Sequence, residues 1–99
     1  MRWFRFYSEA LNDPKVQRLP GDLFKAWINL LCLANEMDPR GLIPPIDHIA
    51  FSLRLSEEDA GGIVAQLLQR GLLDEAEDNY YAPHNWDERQ SKSDDSGDR

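Results

Sequence analysis

Residues 41–86, GLIPPIDHIAFSLRLSEEDAGGIVAQLLQRGLLDEAEDNYYAPHNW, constrain the fold more than any other stretch. Leu42-Ile43 reads as a short apolar strand, closed by Pro44-Pro45. Ile46, Ile49, Ala50 and Leu53 then recur at i, i+3, i+4 and i+7, which predicts a helix to about Arg54. Ser56 is placed to cap a second helix, with Asp59 at its N3 position. Ala60, Ile63, Val64, Leu67 and Leu68 form that helix's apolar stripe, and Gly71 suits its end. Leu72-Leu73 and Tyr80-Tyr81-Ala82 predict two short strands around a polar loop, residues 74–79.

Upstream, RWFRFY alternates aromatic and basic residues and reads as a short strand or an extended arm. Asn12-Asp13-Pro14 signals a turn, and residues 15–19 read as one helical turn with Val16 and Leu19 on one side. Pro20 begins the longest helix, residues 20–37, where a proline is tolerated and Asp22 suits the positive end of the helix dipole. Only a narrow polar stripe interrupts its apolar surface, through Asp22, Lys25, Asn29 and Glu36, so it reads as a central helix packed on several sides. Cys32 on this helix is expected to be a buried small hydrophobe. Near the end, Asn85 with Glu88 three positions on suggests a capping box for a last helical turn. The expected domain spans residues 1–88, and residues 89–99 form a polar linker or disordered tail with nothing apolar from Ser91 on.

Ninety-nine residues, 41% of them hydrophobic, supply one core but no deep catalytic cavity. The net charge of −7 is lopsided. Residues 1–55 carry seven basic and six acidic side chains, whereas residues 56–99 carry four and twelve. Such a balance disfavours nonspecific attraction to nucleic acid or anionic membrane. A single cysteine excludes an intramolecular disulfide and multi-cysteine metal sites, and fits a reducing cytoplasm. No apolar run approaches the ~20 residues of a membrane span, and Arg5 and Ser8 interrupt any signal-peptide core. His48 and His84 stand apart, with no His-x-x-x-His or Cys-x-x-Cys pair, and no nucleophile elbow or phosphate-binding glycine loop occurs. The expectation is a soluble, cytoplasmic, noncatalytic protein without metal or cofactor.

The block from Gly41 to Leu73 resembles winged-helix domains: mainly α with a small β-hairpin wing, a winged helix-turn-helix. The N-terminal WFRFYSEALNDPKVQRLPGDLFKAWINLLCLANE is similar to the start of phage and prophage replication-initiation proteins, the replisome organisers, in which a DnaD-like winged helix precedes a separate C-terminal part. The closing NYYAPHNWDERQSKSDDSGDR looks like the junction after the wing in such proteins. The resemblance implies a module of DNA replication initiation, with DNA (held weakly and salt-sensitively), replication proteins or a second copy of itself as partners. A protein-interaction winged helix without DNA contact and a transcriptional regulator are the alternatives.

Two sets of residues follow from these readings. For DNA, Gln66 and Gln69 on the second helix face outward and suit base edges, while Arg54 and Arg70 flank that helix and suit phosphate. Arg2 and Arg5, interleaved with aromatics, suit single strands. The plainer reading makes the helix face an ordinary solvated one, and makes Trp3, Phe4, Phe6 and Tyr7 core or dimer contacts. For protein, Gly61 and Gly62 with Ala65 make a flat surface on which a partner packs, or else mark a weak helix start. Glu75 and Glu77 belong to an acidic wing loop that is either a docking loop for a basic partner or a solvated turn. Glu57, Glu58 and Asp59 open the recognition helix with three carboxylates where phosphates would sit, which favours protein over DNA.

Overall fold

The structure, a computed structural model, describes residues 3–90. Arg2 and the tail from Ser91 lie outside the described residues. The chain is mainly helical, with one small antiparallel hairpin. A one-turn 3-10 helix, Ser8–Asn12, leads into α1 (Pro14–Gln17), α2 (Gly21–Glu36), α3 (Ile46–Leu53) and α4 (Glu57–Gln69). The hairpin strands β1 (Leu73–Glu75) and β2 (Tyr81–Pro83) follow, joined through a short 3-10 turn, Glu77–Asn79, and residues 86–90 are again helical.

Each helix boundary has a local cause. The Asp13 carboxylate caps α1 by accepting from the Lys15 N–H, with Pro14 in the first turn. Pro20 precedes α2, and its carbonyl accepts from the Phe24 N–H. The Ser56 hydroxyl accepts from the Asp59 N–H at 3.0 Å, as the sequence predicts for α4. α3 and α4 end alike. Leu55 N–H donates to Ala50 and Arg54 N–H to Phe51; Leu72 N–H donates to Leu67 and Gly71 N–H to Leu68. Both are paired-carbonyl endings that require a left-handed residue. Gly71 supplies it at φ +77°, and Arg54, unusually for a residue with a side chain, at φ 60°.

β1 and β2 pair with Leu73 opposite Pro83, Asp74 opposite Ala82 and Glu75 opposite Tyr81. The predicted strand at Leu42-Ile43 is reduced to one bridge: Ile43 exchanges both backbone hydrogen bonds with Tyr81. β1 starts at Leu73, because the Leu72 N–H is committed to the end of α4.

The core lies where α2, α3 and α4 meet the base of the hairpin. Leu30, Ile43, Ile49 and Leu67 are fully buried, and Val64 and Leu73 nearly so. Burial at this level contributes roughly 1.5–3 kcal/mol per large side chain, before the entropy of ordering it is charged.

Three expectations need correction. Cys32 is exposed, because it falls on the same helical stripe as Lys25, Asn29 and Glu36, which faces solvent. The same face is the solvent side of α2, which packs on α3, α4 and the hairpin through its other sides, with Phe24 partly uncovered. Of the aromatics read as core or dimer contacts, Phe4 and Tyr7 are partly buried, whereas Trp3 (64% exposed) and Phe6 (49%) lie outside the core of this chain. Finally, Asn85 sits at φ 61°, a left-handed conformation, whereas an N-cap is extended, so the expected capping box does not form.

An arm wraps the other end of the molecule. Residues 3–7 have no regular structure but are tied to the helical turn 86–90. The Gln90 side chain accepts from the Arg5 N–H and donates to the Arg5 carbonyl, and the Tyr7 hydroxyl donates to the Arg89 carbonyl. Arg89 also pairs with Glu9 at 2.7 Å. Phe4 packs on buried Trp86, with ring centroids 5.8 Å apart. The boundary expected after residue 88 therefore falls inside this helical turn.

Candidate functional site

α4 is amphipathic: Ala60, Val64 and Leu67 are buried, while Glu57, Glu58, Asp59, Gly62, Ala65, Gln66 and Gln69 are exposed. An open groove of about 800 Å³ runs between α4 and α2. Glu58, Asp59, Gly62, Ile63 and Gln66 form its α4 wall. Asp22, Lys25, Ala26 and Asn29 form the α2 wall, and Leu53 and Leu55 contribute apolar surface from the end of α3 and the turn after it. Three carboxylates against one ammonium make this groove acidic.

Further exposed carboxylates lie outside the groove: Glu57 at the start of α4, and Asp74, Glu75, Glu77 and Asp78 in the hairpin. Asp74 lies 3.1 Å from Nδ1 of His84 across the base of the hairpin. A carboxylate accepts, so this ring nitrogen carries the proton. The other four carboxylates form no ion pair with a described residue. The turn itself is tight: Asp78 and Asn79 both adopt left-handed backbone, which these two residue types tolerate better than most.

The glycines of α4 are not needed for internal packing. A Cβ added at Gly61 or Gly62 would meet nothing within 4 Å. Gly62 lines the groove, whereas Gly61 and Ala65 do not.

The residues expected to touch DNA are not brought into one basic patch. Arg54 stands exposed before α4 and Arg70 beyond its end, separated by a helix of 13 residues, about 20 Å long. The Arg70 guanidinium reaches back to the Arg18 carbonyl at 3.5 Å. Gln66 and Gln69 are exposed, but Gln66 belongs to the acidic groove. The Arg5 guanidinium lies over the Trp3 ring, 4.9 Å from its centroid. Arg2 lies outside the described residues.

The α2 wall and the exposure of Phe51 (84%) were not anticipated from sequence. The signal for the first was present, since Asp22, Lys25 and Asn29 share the polar stripe of α2. What that stripe faces is set by tertiary packing. Among the described residues no group of three or more His, Cys, Asp or Glu side chains is placed to hold a metal ion, and no helix is long and apolar enough to cross a membrane. No protein-family model, curated protein or solved structure matches this chain.

Proposed function

We propose that this chain is a noncatalytic winged-helix module of phage-type DNA replication initiation, serving assembly by docking a basic protein segment against α4. Two features support the winged-helix reading. The order helix, bridge, helix, turn, helix, hairpin is that of the fold, and Ile43 pairs with the returning hairpin strand as the first strand of a three-stranded wing sheet would. The replication setting rests on the sequence resemblance alone.

The observation that carries the assembly reading is the acidic groove between α4 and α2. A helix entering a DNA groove needs cations facing phosphates, because counterion release drives that association. α4 contains no Lys or Arg at all and opens with three exposed carboxylates. The same surface attracts a segment carrying Lys or Arg beside apolar residues, and the groove offers Leu53, Leu55 and Ile63 to the apolar part.

The test uses two probes. Duplex and single-stranded DNA, titrated at about 50 mM salt, are expected to show no binding. A synthetic amphipathic peptide of lysine and leucine is expected to bind, with affinity falling as salt rises. Glu58→Lys should weaken the peptide several-fold, whereas Glu36→Lys, on the exposed face of α2 outside the groove, should not. Equal effects of the two reversals would exclude the groove as the docking site. DNA binding abolished by Arg54→Glu and Arg70→Glu would replace assembly with groove contact.

A further inference from the structure

A second cavity, sharing no lining residue with the acidic groove, lies beneath the N-terminal arm. Its volume is about 130 Å³. Phe4 and Phe6 of the arm, Val16 of α1, Trp27 and Leu31 of α2, and Leu72 supply its apolar surface. An apolar cavity of about 150 Å³ holds a single benzene ring.

The charged side chains around this space decide what else a ligand must carry. Three basic and two acidic residues line it, in a chain whose net charge is −7. Most of them are engaged elsewhere. Arg89 pairs with Glu9 at 2.7 Å, the Arg5 guanidinium lies over the Trp3 ring, and the Asp13 carboxylate caps α1 through the Lys15 N–H. The Lys15 ammonium is left over: with the described residues it makes no ion pair and no hydrogen bond. Its Nζ stands 3.6 Å from where a Cβ on Gly71 would lie, and Gly71 also lines the cavity.

Two more basic residues meet at this edge. Arg70 directly precedes Gly71, and its guanidinium reaches the Arg18 carbonyl at 3.5 Å. Arg18 follows Lys15 by three positions, on the same side of the α1 turn. Neither arginine has a carboxylate partner among the described residues. Like charges gathered without a counter-charge attract an anion, and the aromatic walls beside them lower the local dielectric and strengthen that attraction.

We propose that the cavity beneath the arm binds a small organic acid, whose apolar body of about one ring fills the space and whose carboxylate meets the Lys15 ammonium. Lys15 is the binding group, and Arg18 and Arg70 add to the field around it. This site is independent of the acidic groove on α4.

Benzoate, benzyl alcohol and acetate serve as probes: body with charge, body alone, and charge alone. Each is titrated into the full chain at constant ionic strength while the tryptophan indole resonances are followed by NMR. With benzoate the Trp27 and Trp86 signals should shift in a saturable way, because both residues line the cavity, whereas Trp3, which does not line it, should stay in place. Benzyl alcohol should bind about three- to tenfold more weakly, since it forgoes the charged contact. Acetate should give no saturable shift. Lys15→Met keeps the length of an exposed side chain and removes its charge, so the preference for benzoate over benzyl alcohol should vanish. Lys25→Met, in the acidic groove, should keep that preference. The proposal is overturned by no saturable response at Trp27 and Trp86 or by equal affinity for benzoate and benzyl alcohol. Acetate matching benzoate, or a preference that survives Lys15→Met, overturns it as well.

Discussion

Three glycines show how far one hydrogen atom can matter. Gly41 is buried against Trp86 at φ +100°, and a Cβ there would stand 2.5 Å from the indole Cδ1. Neither the dihedral nor the space accommodates a methyl group. Gly41→Ala is therefore expected to destabilise the fold by about 2–3 kcal/mol, seen as a lower midpoint in urea unfolding. Gly61 and Gly62 are the opposite case, helical and facing open space. Replacing either by alanine should stabilise the chain by about 0.5–1 kcal/mol, because alanine has the better helix propensity and nothing is displaced. On the assembly reading, Gly62→Ala also narrows the groove and should weaken the lysine–leucine peptide, whereas Gly61→Ala should not. The sequence left open whether this pair marked a docking surface or a weak helix start. The structure separates the two residues: only Gly62 lines the groove.

At the scale of the element, α4 was the most legible part of the chain, because its stop and start signals are chemical. The Ser56 hydroxyl and the Gly71 backbone act through bonds to residues within five positions, so sequence distance stands in for spatial distance. Ser56→Ala should cost about 1 kcal/mol in thermal or denaturant unfolding, while Ser52→Ala, within α3, should have a much smaller effect. Where pairing partners are distant the reading lost detail. Ile43 was expected in a strand but contributes a single bridge, since Tyr81 is the one residue aligned to meet it. The Asn85 capping box failed because its spacing is right but its backbone is left-handed, and spacing does not encode φ. The candidate site divides in the same way. Glu58, Asp59 and Gln66 could be placed on the outer face of α4 by periodicity. The opposing wall from α2 could not, because helical period says which side chains share a face and not which helix lies across from it. Cys32 shows the same limit from the other side: its apolar side chain suggests burial, but its spacing from Lys25, Asn29 and Glu36 places it on the polar stripe.

At the scale of the whole molecule, the arm and the helical turn 86–90 depend on each other. Gln90 is buried at 8% exposure and holds both backbone groups of Arg5. Arg40 reinforces the region from a third segment: its guanidinium donates to the Trp3 carbonyl and to the Asn35 side chain and lies 5.5 Å from the Trp86 ring centroid. Gln90→Ala should cost about 1–2 kcal/mol, since it removes the two hydrogen bonds that its amide makes to the Arg5 backbone. Limited trypsin digestion gives an independent readout, with faster cleavage after Arg5 expected in the variant. Unchanged cleavage would mean that the arm is held by Phe4 and Tyr7 without help from Gln90.

Arg5 and Gln90 are 85 residues apart in sequence and joined by a pair of hydrogen bonds, which closes the described chain into a ring. Closing a loop of that length has a large entropic cost, and the contact repays it only after the intervening helices have shortened the path. The clasp is thus expected to form late, and hydrogen exchange at the Arg5 amide should be faster than in the middle of α4. Phe4 lies on Trp86 and Phe6 on Trp27, so release of the arm would bare two indole rings at once, and tryptophan fluorescence should report it.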